Sequence, residues 1–256
     1  MRTLFLLILG SLLFAACTTV NVRPGDTADE PTAPPTEASS SADDETTDGD
    51  DGDDPFASWD DTLEDTRTID GFLPLHEKDD GTLYAEIPSE RMGTPFGLTL
   101  HISQGVGVFN LHDGLPLSDT RLMQFRRVNQ TVHLVHRNVR LRADAGPMRT
   151  SLEDNTAHSA VEAFDIVSKH DSTGHLLIEF DDFLVSDYPQ IGERLKFYFG
   201  GAPAAFQRGK SYVSEVMGFP ENTEIDVSLT YQGSSAPLIG GEAVPDYRAV
   251  PVGVRY

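Results

Sequence analysis

Cysteine occurs once in the 256 residues, at position 17. A single thiol excludes an intrachain disulfide framework, a multi-cysteine zinc site and C-x-x-C redox chemistry. Cations are also scarce: 19 Lys and Arg stand against 41 Asp and Glu, a net charge of −22. A nucleic-acid binder needs a basic face, so that class of partner falls away. The most apolar run, Leu4 to Phe14, is well short of the ~20 residues that a membrane-crossing helix needs. H-E-x-x-H, H-x-H and G-x-S-x-G are all absent. With them go a helix-borne zinc pair and the nucleophile elbow of an α/β-hydrolase.

What is present starts at the N-terminus. Met1 and Arg2 precede the apolar run, which ends in Phe14-Ala-Ala-Cys17. Two small residues before a cysteine resemble the lipobox of bacterial lipoproteins, with Phe14 standing where Leu is usual. The resemblance implies a signal peptide over residues 1–16, cleaved before Cys17, and acylation of the Cys17 thiol and new amino group. Several acyl chains would then hold the protein on a membrane, where one chain alone binds only marginally. Thr18 follows the cysteine where an Asp would favour the inner membrane, so the expected location is the bacterial cell envelope, at the outer membrane.

Residues 17–66 read as an acidic tether. Sixteen Asp or Glu lie between Asp26 and Asp65 with no Lys or Arg among them. Such a stretch buries too little apolar area to offset its ordering entropy, so it is expected to be disordered and extended. Setting aside those sixteen acids and the arginines at positions 2 and 23 leaves 25 acidic and 17 basic residues in 66–256, a net of −8. The run Asp48 to Asp54 fails the EF-hand register, having Asp53 at the sixth position and Trp59 at the twelfth, and reads as a solvated linker.

Beyond residue 66 the pattern is short alternating segments between turn residues. Phe72 to Glu77 and Thr82 to Pro88 flank Lys78-Asp-Asp-Gly81, a hairpin signature. Leu98, Leu100 and Ile102 alternate with polar residues as in one strand. Leu122 to Val128 and Thr131 to Leu141 form a second hairpin through Asn129-Gln130. In Glu221 to Tyr231, Ile225, Val227, Leu229 and Tyr231 face a core while Glu224, Asp226, Ser228 and Thr230 face water. A helix capped by Thr150 or Ser151 is expected to carry Ala157, Ala160, Val161 and Phe164 on one side, and a second to run through Asp182 to Ser186. The expected fold is α+β, a mainly antiparallel β domain over 67–256 with one or two short helices.

Chemistry-bearing groups are dispersed. His133 and His136 sit on a strand pattern, where residues three apart point to opposite faces and share no metal. Gly209-Lys210-Ser211 resembles the end of a P-loop, but Ala204 stands where its first Gly belongs. Glu179, Asp181 and Asp182 form a local acidic run, with the last two reading as a helix start. No catalytic residue and no metal site is assigned. The remaining charged feature is basic: Arg121, Arg126, Arg127, Arg137, Arg140, Arg142 and Arg149 lie in 29 residues, opposed there only by Asp144. In a hairpin they would form a positive patch for an anionic glycan or an acidic protein partner.

A series of segments carries a further resemblance: Gly71-Phe-Leu-Pro-Leu75, Leu83-Tyr-Ala-Glu-Ile-Pro88, Arg140-Leu-Arg-Ala-Asp144, Ile178 to Asp187, Ser211-Tyr-Val-Ser-Glu215 and, most specific, Phe219-Pro-Glu-Asn-Thr-Glu-Ile225. Together they resemble the uncharacterised domain that precedes the catalytic domain in a family of bacterial exported zinc-dependent metalloproteases. The resemblance implies a non-catalytic accessory domain that supports or positions a protease domain. Zinc belongs to that family's H-E-x-x-H catalytic domain, so no cofactor is expected here. Ala249 to Tyr256 reads as a strand running to the last residue, from which the chain is expected to be the front portion of a longer product or a remnant that lost its catalytic half.

Overall fold

The computed structural model describes residues 55–107, 110–238 and 243–256. The signal segment, Cys17, the acidic run 48–54 and most of the expected tether lie outside the described residues.

The fold is a mainly antiparallel β domain with a few short helices. It begins before residue 66, where the tether was expected to end. The Ala57 amide donates to the Val167 carbonyl at 3.0 Å, and helix α1 (Trp59–Leu63) follows, with the Ser58 hydroxyl accepting from the Asp61 amide. Asp60 and Asp61, part of what makes this stretch look solvated, lie in the first helical turn, where the helix dipole favours carboxylates.

Strands β1 (Thr66–Ile69), β2 (Leu75–Lys78) and β3 (Leu83–Ile87) form a meander, with Gly81 supplying the positive φ of the second turn. The single strand expected around Leu98 to Ile102 is two: β4 (Pro95–Leu98) and β5 (His101–Gln104) belong to different sheets. The chain crosses between sheets here, and an apolar side chain is wanted on the core side both before and after the crossing, so the alternation runs through it unbroken. The second hairpin is as expected, with β6 (Arg121–Val128) and β7 (Thr131–His136) closed by Asn129 at φ 56°.

The first expected helix is misplaced. Helix α2 (Pro147–Asn155) starts earlier, at a proline whose fixed φ suits the first helical position. Residues Ser159–Lys169 form β8, an 11-residue strand carrying Ala160, Val161 and Phe164. Their three- and four-residue spacing competes with a period of two, Phe164, Ile166 and Ser168, which are the buried positions. Pairing with β7 on one side and with β9 (Leu176–Glu179) on the other decides in favour of the strand.

Helices α3 (Asp181–Leu184) and α4 (Ile191–Leu195) bury Phe183, Leu184, Ile191 and Leu195. Asp187 accepts from the Ile191 amide at the start of α4 and from the Tyr231 hydroxyl at 2.7 Å. The rest is β10 (Ala205–Phe206), β11 (Tyr212–Gly218), β12 (Thr223–Gln232) and β13 (Val250–Arg255). The eight-stranded sheet has the order β1-β2-β3-β9-β8-β7-β6-β4. The five-stranded one has the order β10-β12-β13-β5, with β11 also paired to β12. One hydrophobic cluster joins them, with Leu75, Ile87, Met123 and Ile178 from the first sheet and Ile102, Val227, Leu229 and Val252 from the second.

On β12 the water-facing side is only partly so. Asp226 and Thr230 are 7% and 6% exposed. Asp226 is held by Arg255, while the Thr230 hydroxyl donates to the Lys210 carbonyl. Phe219 to Asn222 is the loop of the β11–β12 hairpin and is pinned to the other sheet's chain. The Phe72 amide donates to the Phe219 carbonyl at 2.8 Å, and the Thr223 hydroxyl bonds both the amide and the carbonyl of Leu73. The most specific of the sequence segments is thus an inter-sheet fastening.

Candidate functional site

That fastening closes one end of a cavity of about 440 Å³ between the sheets, within the size range of small-ligand pockets. Its walls are aromatic: Phe72, Phe96 and Phe125 from one side, Phe180, Phe183 and Tyr256 from another. Neighbouring ring centroids lie 5.9 Å apart for Phe72–Phe96, 5.2 Å for Phe96–Phe125 and 5.9 Å for Phe183–Tyr256, contact distances that leave the rings little freedom. The Arg91 guanidinium lies 4.0 Å from the Phe72 ring centroid. Burial pushes the Tyr256 phenol up, so it stays protonated and donates to the Leu184 carbonyl at 3.3 Å.

The cavity's polar groups collect where β12 and β13 meet it: Glu221, Asn222, Glu224, Arg255 and, from β5, His101. Arg255 is committed within the protein. Its Nε lies 2.9 Å from Asp226 Oδ1, its Nη2 2.5 Å from Asp226 Oδ2, and its Nη1 3.5 Å from Glu224 Oε2. The Asp226 carboxylate in turn raises the guanidinium pKa further. An apolar side chain entering between the rings would therefore meet an arginine already paired within the protein. A largely aromatic lining of this kind suits the burial of an apolar group.

A second cluster lies on the eight-stranded sheet. Glu86 of β3 bridges two imidazoles: His76 Nε2 is 3.0 Å from its Oε2 and His175 Nδ1 is 2.5 Å from its Oε1. His76 Nδ1 lies 3.1 Å from the Thr68 hydroxyl. His76 is 5% exposed, so the Thr68 and Glu86 contacts satisfy both nitrogens of a ring that water cannot reach. The His76 hydrogen bond, aided by His175 and opposed by burial, holds the Glu86 carboxyl below its ordinary range. Sequence reasoning missed this group. Its members come from four segments, and only His76 and Glu86 sit on strands read beforehand.

Glu179, Asp181 and Asp182 do converge, with one carboxylate oxygen from each within 4.8 Å of the others. Burial, then the neighbouring carboxylates, raises the Glu179 pKa; burial likewise raises that of Asp181. Arg208 pairs with Asp182 and lies 3.8 Å from Asp181, so a cation from the protein already engages two of the three carboxylates. Asp181 and Asp182 open α3, as expected.

The arginines do not share one face. Arg126 and Arg127 are adjacent on β6 and point to opposite sides, opposite His133 and Val132 of β7 respectively. Arg121 stacks over the Tyr188 ring at 4.9 Å, Arg127 lies 6.0 Å from the Phe56 ring, and Arg149 pairs with Glu153 at 3.1 Å. Arg137 is half-buried, whereas Arg140 and Arg142 are exposed in the loop between β7 and α2. His133 and His136 lie on opposite faces of β7, as expected, and are half-buried. Burial and the nearby Arg121 lower the His136 pKa.

Among the described residues no helix is long and apolar enough to cross a membrane. Residues 117–250 match the profile of a family described as a domain of unknown function, DUF5117. No curated protein and no solved structure matches the chain.

Proposed function

The chain belongs to the DUF5117 family, and from that premise we propose that it is a non-catalytic docking module on a lipid-anchored protein of the bacterial cell envelope. Its partner is a polypeptide whose apolar side chains enter the inter-sheet cavity. In relatives that carry an H-E-x-x-H motif after this region, the partner is the zinc-dependent protease domain. The resemblance of residues 67–256 to the domain preceding such proteases supports the partner. The carrying observation is the cavity: about 440 Å³, walled by aromatic rings, with its one arginine already paired to Asp226. That site offers apolar burial between rings, with its ionisable groups, His101, Glu221, Glu224 and Arg255, gathered together on its lining.

The test is a titration of the chain against the metalloprotease domain of such a relative. Wild type is expected to bind, and Thr99→Trp, which places an indole at the cavity mouth from an exposed position, is expected to weaken binding at least tenfold with an unchanged circular-dichroism spectrum. Equal affinity of both proteins would sink the docking reading. Stoichiometric zinc on the purified chain, or cleavage of an unstructured protein by it, would overturn the non-catalytic half. The anchor rests on Phe14-Ala-Ala-Cys17. Labelled palmitate is expected to enter the wild-type chain and to be absent from Cys17→Ser; label retained in the variant would defeat acylation at that thiol.

A second reading, capture of an anionic partner through the arginines, is favoured by Arg140 and Arg142. Both are exposed, and among the described residues neither guanidinium has an ion-pair or hydrogen-bond partner.

A further inference from the structure

We infer that the loop joining β7 to α2 is a membrane-contact element, seating Leu141 and Met148 at the interface of an anionic lipid surface while Arg140 and Arg142 hold its phosphates. The inference rests on the second reading above, whose partner class it names, and is independent of the cavity.

Three of the exposed large apolar side chains gather here: Val139 and Leu141 in the connection and Met148 in the first turn of α2, at 39%, 63% and 76% exposure. They alternate with cations in Val139-Arg140-Leu141-Arg142 and again in Met148-Arg149. Helix α2, at the far end of the loop, buries none of its residues. Nothing among the described residues therefore covers the stretch, although the two arginines belong to a domain with an excess of carboxylates.

The loop is locally basic. Residues 137–146 hold Arg137, Arg140 and Arg142 against Asp144, a net of +2, in a region 66–256 whose total is −8. An anionic plane therefore favours approach through this loop. The interleaving selects lipid over the other anionic partners. A polysaccharide would satisfy the guanidinium groups and leave Leu141 and Met148 in water. A protein partner packs best on contiguous apolar area, which single intervening arginines break up. At a bilayer surface the phosphates and the acyl boundary lie only a few ångströms apart in depth, so arginines reach the one while their apolar neighbours enter the other.

A reporter confined to the loop tests this in the full chain. Cys17 holds the only thiol, so Cys17→Ala with Leu141→Cys permits a single environment-sensitive fluorophore at position 141, whose emission reports the loop however residues 1–16 reach the bilayer. On phosphatidylcholine vesicles containing one-third phosphatidylglycerol, a blue shift is expected. It should be absent on phosphatidylcholine alone and reversed by salt of about 0.5 M. Adding Arg140→Glu and Arg142→Glu should weaken the response at least ~25-fold, from about 5-fold per arginine near an anionic surface, with an unchanged melting temperature because both side chains are exposed. No shift on anionic vesicles, an equal shift on neutral ones, or an equal shift with soluble dextran sulfate would each overturn the inference, the last in favour of an acidic soluble partner.

Discussion

Gly218→Ala is expected to lower the thermal midpoint of the domain by roughly 10 °C or more, from a cost of about 3 kcal/mol or above. A Cβ on Gly218 would stand 1.9 Å from the Asp70 carbonyl oxygen and 2.9 Å from its carbonyl carbon. Both are main-chain atoms, so no rotamer change relieves the clash. Gly71 faces it, with a Cβ there coming 2.9 Å from Gly218 Cα. The two backbones pass in contact because neither bears a side chain. Forcing them apart would lengthen the Phe72-to-Phe219 hydrogen bond and the pair between Thr223 and Leu73, and with them the closed end of the cavity. Gly209→Ala is the matched control: a Cβ there meets nothing within 4 Å and its φ lies outside the left-handed region, so its effect should stay within ~0.5 kcal/mol. Differential scanning calorimetry of the two variants decides the matter. Equal melting of Gly218→Ala and wild type would mean that the contact between β11 and the residues after β1 does not hold the sheets together.

That contact also shows where sequence reading reaches its limit in this chain. Local rules worked where the determinant was local. The turns at Gly81 and Asn129, the Ile225 to Tyr231 alternation and the acidic start of α3 all lie within a few residues of what causes them. They failed where a distant strand cast the deciding vote. Ala157 to Phe164 carries helical and strand periods at once, and only β7 and β9, paired on either side, choose between them. Leu98 and Leu100 read as one strand because both sheets ask for apolar side chains at that spacing. Phe219 to Ile225 stood out in the sequence, but its role needs the Phe72-Leu73 main chain, some 150 residues earlier. The cavity was illegible for the same reason: its rings come from segments spread between Phe72 and Tyr256. The arginines were visible as a cluster, yet strand alternation sends Arg126 and Arg127 to opposite faces, and exposed Arg140 and Arg142 lie in the loop beyond the hairpin.

The Glu86 cluster yields the other large effect, and one with a pH signature. Glu86→Ala removes the partner of an imidazole that is 5% exposed and is expected to cost about 2–4 kcal/mol at neutral pH, since a buried polar ring loses one of its two hydrogen bonds and a void replaces the carboxylate. Glu86→Gln keeps the volume and isolates the charge; its cost at neutral pH should be about 2 kcal/mol, the scale of a hydrogen bond to an ionised group. The sign of the pH dependence follows from the direction of the shift. The folded carboxyl titrates below the ordinary value of 4.5, chiefly because His76 bonds its ionised form. The unfolded chain therefore binds the proton first as pH falls, so the stabilisation is complete above pH ~4.5 and is lost as pH drops through the lower folded pKa. Thermal midpoints measured from pH 7 down to 3 should show wild type falling steeply below pH ~4.5 and converging on Glu86→Gln, which has no carboxylate to protonate. Parallel curves across that range would mean that the charge on Glu86 contributes nothing to the fold, and that the two histidines are held by packing alone.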